Sequence, residues 1–342
     1  MHKLIKIFFI VFGVAVVLLA AALCYFFIGK AEVKDSITWG IDFSQSQAEY
    51  LKLDWKEAYL AMIKDLGAKN VKLHTNWSWV EGTRDDYFFD DIDWQIKQAE
   101  QNNAKIIYVL GMKTGRWPEC HVPLWAKYLP ESQQQEQVLE YIRQVVMRYK
   151  NSKAIAFWQV ENEPLFKFGE CPAWYYKNDD FLKKEISLVK SLDPSRKIIV
   201  SDSGEQSTWF GAAETGDIVG VTMYRKVWAH VSNTFGFDVY SFLNPTTYAK
   251  KAEIINNLFH KEVICIELQA EPWASLPLME APFEEQIKSM NSDMFKENIE
   301  FAKQTGLDTF YFWGAEWWYW MKEKQGRPEI WDEAKILFNG KT

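Results

Sequence analysis

The sequence has few of the residues that bind metals or polyanions. It contains five histidines in 342 residues and no His-x-His pattern, so it lacks the clustered histidines on which barrel-shaped metal hydrolases depend. The net charge of −7 disfavours nucleic acid as a partner. No glycine-rich phosphate loop follows the first strand-like segment. We therefore predict no metal, no cofactor and no nucleic-acid partner.

Cysteine is also scarce, with four in the chain. Cys24 lies in an apolar run near the N-terminus, and Cys265 lies in the strand-like segment EVICIEL, where it fits a buried apolar position. Cys120 and Cys171 lie in loop-like segments. Because the space outside a membrane permits disulfides, we expect these two to pair, with two free thiols as the alternative.

The first 30 residues differ from the rest of the chain. Lys3 and Lys6 precede an uncharged run of 22 residues, 7–28, which is long enough to cross a bilayer. The positive charge before this run predicts a cytoplasmic N-terminus and an extracytoplasmic remainder. We expect a single-pass membrane anchor over residues 1–30 and one further domain over residues 31–342. A cleaved signal peptide that releases a secreted protein is the alternative, and a lipoprotein signal fits less well.

Eight continuous apolar runs alternate with helical patterns after the anchor. Runs of this kind are typical of a parallel sheet that is buried on both faces. Eight strand–helix units in about 310 residues favour an α/β fold of the (β/α)8 TIM-barrel type, with an open doubly wound sheet as the alternative. The predicted strands cover residues 36–43, 70–77, 104–111, 153–160, 197–202, 217–224, 262–269 and 307–314.

Polar and aromatic residues follow the predicted strands, at the end where TIM barrels place their chemistry. Two glutamates at separate strand ends permit general acid and nucleophile chemistry on a glycosidic bond. The 17 tryptophans include dense clusters at 77–79 and 317–320, which suit stacking against sugar rings. These strand ends predict a polar, aromatic cleft.

Four segments resemble glycoside hydrolase clan A, the retaining barrel enzymes. WQVENEP (158–164) looks like the Asn-Glu-Pro signature of the fourth strand, and VICIELQAEPW (263–273) looks like the nucleophile segment of the seventh. The stretch 71–111 is similar to strands two and three of family 42 β-galactosidases, and FYFWGAEWW (310–318) fits the eighth strand. The resemblance covers about residues 36–335 and is nearest to family 42-like and family 5-like enzymes.

The resemblance implies a role for individual residues. Glu163 is expected to be the acid/base and Glu267 the nucleophile. Asn162 is expected to bond the sugar 2-hydroxyl, Tyr224 to bond the nucleophile, and Trp313 to form the floor of the sugar site. Five other residues at the strand ends are predicted to contact substrate, with packing or loop bracing as the alternative: His74, Trp77, Trp117, His121 and Trp317.

The sequence departs from the clan pattern at two positions. Lys72 stands where the clan commonly has an arginine on strand two, and a further glutamate, Glu271, lies four residues after Glu267. Glu271 is therefore an alternative nucleophile. We expect Glu161 to be structural and paired with a lysine or arginine.

These observations predict a membrane-anchored, extracytoplasmic glycoside hydrolase that cleaves β-linked oligo- or polysaccharides with retention, through two glutamates about 5–5.5 Å apart. A transglycosylase of envelope glycans with the same residues is one alternative. A carbohydrate-binding barrel without activity is the other, although a binder needs neither glutamate.

Overall fold

The computed structural model describes residues 2–177, 179–232 and 235–340. Within them, eight parallel strands close into a barrel, and an antiparallel hairpin stands beside it. The barrel strands are β1 (Thr38–Ser44), β2 (Asn70–His74), β3 (Lys105–Leu110), β4 (Ile155–Val160), β5 (Ile198–Asp202), β6 (Ile218–Met223), β9 (Glu262–Gln269) and β10 (Thr309–Trp313); the hairpin is β7 (Val227–Ser232) and β8 (Phe235–Val239).

The order around the barrel is β1-β10-β9-β6-β5-β4-β3-β2. β1 pairs in parallel with both β2 and β10, so the sheet closes and the open-sheet alternative is wrong. The predicted TIM barrel is confirmed, since each predicted strand overlaps a barrel strand. The hairpin occupies a segment that the sequence suggested to be a loop.

Helices cover the outside of the barrel. They are α1 (His2–Phe27), α2 (Gln45–Tyr50), α3 (Trp55–Leu60), α4 (Trp77–Val80), α5 (Asp90–Gln101), α6 (Glu131–Tyr149), α7 (Asp179–Leu192), α8 (Phe210–Thr215), α9 (Pro245–Phe259), α10 (Phe283–Gln286), α11 (Ser292–Gln304), α12 (Ala315–Gln325) and α13 (Glu329–Phe338). Short polar side chains start several of them: Asp54 caps α3, Asn244 caps α9 and Asn291 caps α11.

Two apolar layers hold this architecture together. The interior of the barrel is filled by a small cluster that includes Ile107, Ile199, Ile264 and Tyr311. A much larger cluster packs the outer faces of the strands against the helices. Both faces of each strand are therefore buried, which explains the continuous apolar runs in the sequence.

α1 differs from the other helices because it is apolar and exposed over most of its length. Among the described residues, it alone is long and apolar enough to cross a membrane, over Ile5–Phe27. A signal sequence near an N-terminus meets the same criterion.

Candidate active site

The carboxyl ends of the barrel strands enclose a cluster of buried charged groups. Its centre is Lys72 on β2, whose Nζ donates to Oε1 of Glu267 at 2.6 Å, to Oδ2 of Asp42 at 3.2 Å and to Oδ1 of Asn162 at 3.3 Å. Lys72, Asp42, Asn162 and Glu267 are each at most 2% exposed. Side chains from β1, β2 and β9 and from the residues after β4 thus meet around one ammonium group.

A bulge in β9 aims Glu267 into this cluster. Val221 on β6 pairs with Cys265, but the next residue, Thr222, pairs with Glu267 and skips Ile266. Cys265 and Leu268 pack in the outer layer, whereas Ile266 packs inside the barrel. The extra residue lets Ile266 and Glu267 both face inward, although strict alternation would send one of them outward.

Glu267 is held in its ionised form. Tyr224 donates to its Oε2 at 2.7 Å, and Lys72 donates to its Oε1. Burial alone would raise the pKa of Glu267, but the positive charge of Lys72 and these two hydrogen bonds outweigh it and lower the pKa below its usual value. Glu267 is therefore a buried anion, which is the charge state that a carboxylate nucleophile needs.

Asp42 and His74 form a second pair beside Lys72. Nδ1 of His74 contacts the carbonyl oxygen of Thr114, and its Nε2 lies 3.2 Å from Oδ2 of Asp42. Burial, followed by the charge of Lys72, lowers the pKa of His74 well below its usual value, so the ring is neutral. If Nδ1 donates to Thr114, Nε2 can only accept, and the proton between the two side chains belongs to Asp42. Burial raises the pKa of Asp42 well above its usual value, which agrees with this assignment.

Asp42, His74 and Glu267 bring possible metal-ligand atoms within 4.8 Å of one another. However, Nζ of Lys72 is bonded to both carboxyl groups. A metal ion at this place would have to compete with the Lys72 ammonium group for the same carboxyl oxygens, against the repulsion between two buried positive charges. The residues present therefore fit a lysine-centred cluster better than a metal centre.

Glu163 follows β4, and its surroundings shift its pKa in the opposite direction from that of Glu267. Its backbone N–H donates to Oγ of Ser201 at 2.7 Å, and the hydroxyl of Thr222 lies 3.2 Å from its Oε1. Burial raises the pKa of Glu163 well above its usual value, and the negative charge of Glu267 raises it further. Glu163 is therefore a buried carboxyl group whose surroundings, including the charge of Glu267, favour its protonated form. β5 and β6 separate the strands that carry the two residues.

The backbone after β4 is strained where Glu163 leaves the strand. Glu161 and Glu163 have φ angles of 58° and 45°, in the left-handed region that residues other than glycine rarely adopt. Glu161 supports this turn by accepting hydrogen bonds from the backbone N–H groups of Met112 (3.0 Å) and Lys113 (2.5 Å). Strain of this kind persists only where the surroundings enforce it, and it concentrates at functional sites.

The partners of Glu161 differ from the lysine or arginine that was predicted, and its structural role stays a prediction. Backbone amides and the buried carboxyl group of Glu185 face it, and no lysine or arginine side chain forms an ion pair with it among the described residues. Burial raises the pKa of Glu185 well above its usual value, and the charge of Glu161 adds to this effect. Glu185 is thus a neutral acid beside an amide-bound carboxylate, which avoids two buried charges of like sign.

Arg116 ties the loop after β3 to the far side of the cleft. Its guanidinium group pairs with Glu271 and, at 3.2 Å, with Glu316, and it lies 3.7 Å from the centre of the Trp313 ring. Glu271 also accepts from Nε2 of Gln47 at 3.3 Å. Glu271 is therefore engaged in an ion pair away from Lys72 and Tyr224, and this environment favours Glu267 over Glu271 as nucleophile.

A disulfide joins the loops after β3 and β4. Cys120 and Cys171 are bonded, and they lie 51 positions apart in the sequence. His121 braces the first loop, since its Nε2 lies 3.0 Å from the carbonyl oxygen of Gly115. Glu119 is buried beside the bridge, and burial raises its pKa to about 7. Trp117, by contrast, is 65% exposed and lies edge-on to Phe168, so its ring is available at the rim of the cleft.

Two of the predicted substrate contacts lie in the core instead. Trp77 is fully buried, donates to Oε2 of Glu81 at 2.7 Å and stacks on Tyr141. Trp317 is 1% exposed and donates to Oε1 of Gln286 at 2.9 Å. A ring without accessible surface cannot stack on a sugar, so this burial argues against the prediction and both residues are left out of the proposed site.

Sequence reasoning missed three residues of the site. Asp42 lies near the end of β1, and its signal was a carboxylate inside the apolar segment WGIDF. Thr222 lies two residues before Tyr224 on β6, and an alternation pattern would have placed both inside the barrel. Trp273 packs edge-on against Tyr224, with ring centres 5.3 Å apart, and it lies in the same segment as Glu271.

The comparisons with known proteins agree with the barrel fold. A curated relative, a "Probable mannan endo-1,4-beta-mannosidase A" of Aspergillus clavatus, is 27% identical over 120 residues, which are 33% of this chain and 32% of the relative. The match thus spans about a third of that relative's length. Native xylanase 10B from Thermotoga maritima superposes with a TM-score of 0.60 at 14% identity, over 90% of this chain and 96% of that one. Xylanase 10B from Thermotoga petrophila, solved with xylobiose, gives 0.57 at 15% identity over 82% of each chain.

A family profile defines the relationship more directly. The profile described as "Glycosyl hydrolases family 2, TIM barrel domain" matches residues 103–317, which are more than half of the chain. This range includes both Glu163 and Glu267. The resemblance to clan A is thereby confirmed, whereas the nearer likeness to families 42 and 5 stays a prediction. The chain belongs to the TIM-barrel family of the family 2 glycosyl hydrolases.

Proposed function

We propose that the chain is a retaining glycoside hydrolase that cleaves β-linked glycans, with Glu163 as acid/base and Glu267 as nucleophile. The observation that carries this proposal is the contrast between the two buried glutamates. The pKa of Glu163 is raised by burial and by the charge of Glu267, whereas that of Glu267 is lowered by Lys72 and Tyr224. Two neighbouring carboxyl groups whose environments separate their pKa values are the signature of an acid and a nucleophile.

The chemistry follows from these charge states. Glu163 gives its proton to the glycosidic oxygen as the bond to the anomeric carbon breaks, and the leaving sugar departs. Glu267 attacks the same carbon from the opposite face and forms a glycosyl ester. Glu163, now ionised, takes a proton from water, which attacks the anomeric carbon of the glycosyl ester and releases the Glu267 carboxylate. Two inversions give net retention, and both carboxyl groups return to their starting forms.

The neighbours have supporting roles in this proposal. Oδ1 of Asn162 accepts from Lys72 and from Nε2 of Gln159 at 3.0 Å, so its amino group is the part that can donate to the sugar 2-hydroxyl. Tyr224 holds Glu267 by a hydrogen bond. Trp313 lies between His74 and Tyr224, where its ring can form the floor of the sugar site. Trp117 offers an aromatic surface further out.

The localisation belongs to the same proposal. α1 has the length and composition of a bilayer span, and Lys3 and Lys6 precede it. We infer that residues 1–30 anchor the chain in a membrane with the N-terminus in the cytoplasm, and that residues 31–342 form an extracytoplasmic catalytic domain. The disulfide between Cys120 and Cys171 fits an oxidising compartment.

The first test is hydrolysis by the full chain in detergent of a panel of aryl β-glycosides and β-linked oligosaccharides, including mannan- and xylan-derived ones. We expect Glu163→Gln and Glu267→Gln to lose activity on unactivated oligosaccharides. Glu271→Gln is the matched control, because it removes a nearby carboxylate that does not contact Lys72; it should keep measurable activity. Proton NMR of the first product should show the β-anomer. An α-anomer, or loss of activity in Glu271→Gln with its retention in Glu267→Gln, would contradict the assignment.

A further inference from the structure

The anchor helix meets the barrel at the catalytic end. Three polar atoms around the start of α9 bind backbone carbonyls at the end of α1: Nδ2 of Asn244 donates to Phe27 at 2.9 Å, and Oγ1 of Thr247 donates to Phe26 at 3.2 Å. Oγ1 of Thr246 donates to the carbonyl of Gly29 at 2.8 Å. The unpaired carbonyls at the end of a helix are thus satisfied by the barrel, which fixes the position of α1 on it.

The start of α9 is level with the active site. Tyr248 donates to Glu205 at 2.9 Å, and Lys251 donates to the carbonyl of Gly204 at 2.6 Å. Glu205 in turn lies 3.1 Å from the hydroxyl of Thr222, which contacts Glu163. Helices of a TIM barrel begin where the preceding strands end. The last turn of α1 therefore lies at the face of the barrel that carries the two glutamates.

The segment after α1 runs away from this face. Ala31 packs against Gly306, which shortly precedes β10, and the N–H of Thr38 at the start of β1 donates to the carbonyl of Asp308 at 2.7 Å. In about ten residues the chain thus passes from the catalytic end to the opposite end. If α1 spans a bilayer, the end of the barrel that its last turn contacts is the end nearer the lipid, and this is the catalytic end.

The exposed apolar side chains of the barrel are concentrated at the same end. From β1 onward, half of the exposed large apolar side chains of the described residues lie in loops that follow a barrel strand: Phe88, Trp117, Leu124, Tyr128, Phe242, Leu276 and Met279. Of the others, Phe237 lies in β8, and six lie in helices: Tyr50, Trp79, Met147, Phe210, Leu258 and Ile336. We call the following six the apolar rim: Phe88, Leu124, Tyr128, Phe242, Leu276 and Met279. Leu124 and Tyr128 are 80% and 85% exposed, and Phe242 lies two residues before Asn244, which binds α1. The rim therefore continues directly from the end of the anchor.

We propose that the catalytic end of the barrel faces the bilayer that holds α1, with the apolar rim in the lipid headgroup region, and that the substrate is a glycan attached to that membrane, such as the sugar headgroup of a glycolipid. Exposed leucine, phenylalanine and tyrosine side chains favour the membrane interface, where apolar groups and water meet. The substrate part of this inference rests on the proposed glycosidase function, and its geometry rests on α1 as a span.

A fluorescent probe tests the orientation without any activity measurement. The full chain carrying Cys24→Ala, which removes the exposed free thiol, receives either Leu124→Cys or Leu258→Cys and is labelled with nitrobenzoxadiazole. Both positions are exposed leucines, but Leu258 lies in the last turn of α9, at the opposite end. In phosphatidylcholine vesicles with doxyl-labelled lipid, the probe at 124 should be quenched at least twofold more than the probe at 258. Equal quenching would overturn the proposal.

Activity on two substrate forms tests the consequence for catalysis. The double variant Tyr128→Glu, Leu276→Glu places charges in the rim, and Leu258→Glu is the matched control. In vesicles, we expect the double variant to cleave a glycolipid severalfold more slowly than the control, with equal rates on a soluble aryl glycoside. Equal rates on both substrates would contradict a membrane-borne substrate. If neither protein cleaved either substrate, the proposed function would fail, while the probe result would still decide the orientation.

Discussion

Nζ of Lys72 lies 2.6 Å from Oε1 of Glu267, and both side chains are buried. Clan A enzymes commonly have an arginine where this chain has Lys72, according to the resemblance described above. A guanidinium group could bond both oxygens of a carboxylate at once, whereas an ammonium group acts as a point charge. The second oxygen of Glu267 accepts from Tyr224 instead. Lys72 thus bonds one oxygen of the nucleophile, and Tyr224 bonds the other.

Replacement of Lys72 by methionine should weaken the nucleophile. The positive charge of Lys72 lowers the pKa of Glu267, so its loss raises that pKa, and the acid limb of the kcat/KM profile should move to higher pH. We expect kcat/KM at neutral pH to fall by about 100-fold, the scale seen when one electrostatic partner of a reacting group is removed. Lys72→Arg keeps the charge and should keep the position of the limb. An unmoved acid limb in Lys72→Met would refute this role.

Glu163 should determine the alkaline limb of the pH profile of kcat/KM. Its pKa is raised in the folded protein, so the acid form is present below that pKa and activity falls as pH rises through it. With an aryl glycoside whose leaving group needs no proton, Glu163→Gln should still form the glycosyl-enzyme, and the rate of that step should no longer decline at alkaline pH. Pre-steady-state release of the aryl group measures the rate at which the glycosyl-enzyme forms. An alkaline limb that persists in the variant would assign the proton to another group.

Gly115 should be intolerant of a side chain. Its φ is +85°, and a Cβ at this position would lie 2.8 Å from the His74 ring, so Gly115→Ala adds a clash to an unfavourable backbone. Gly326→Ala is the matched control, because Gly326 also has a positive φ of +64° but no neighbour within 4 Å. We expect the control to lose about 1 kcal/mol of stability and to keep activity. Gly115→Ala should lose more stability and at least tenfold in kcat/KM; equal behaviour of the two variants would be evidence against a positional role for His74.

Loss of the Cys120–Cys171 bridge should lower thermal stability. The bridge closes a loop of 51 residues, for which the loop-entropy relation gives about 4 kcal/mol. We expect the variant Cys120→Ser, Cys171→Ser to unfold several degrees below the wild type in a thermal scan. Reductant should lower the unfolding temperature of the wild type to a similar value and leave that of the variant unchanged. A reductant effect of equal size on both proteins would point to another cause.

The barrel could be predicted because each of its strands is recognisable from its own sequence. Segments such as AKIIYVLG and EVICIELQ are apolar on both faces, and burial on both faces is what a closed parallel sheet imposes. The hairpin β7–β8 carries no comparable signal, since it packs outside the barrel. The helical segment that leads to β10 is divided into α10 and α11, because Asn291 leaves the helical conformation and caps α11 with its side chain.

The site was only partly predictable for a related reason. Glu163 and Glu267 follow motifs that can be read along the chain. The inward aim of Glu267, however, depends on a bulge against β6, and a shift in strand pairing leaves no trace in one sequence. Trp77 looked like a sugar platform because tryptophan was dense around it, yet its partners Glu81 and Tyr141 bury it. Local patterns identify which residues can react; three-dimensional packing decides which of them are reachable.

The place of the two glutamates in the barrel has a consequence for how this chain can change. Glu163 follows β4 and Glu267 lies in β9, and the two strands between them, β5 and β6, set their spacing through the rigid sheet. Arg116, Trp117, Glu119 and Trp273 instead lie in the loops after β3 and β9. New loop sequences can therefore retune which sugar is accepted while the reacting pair stays untouched. The fold thus separates the evolution of specificity from that of reactivity.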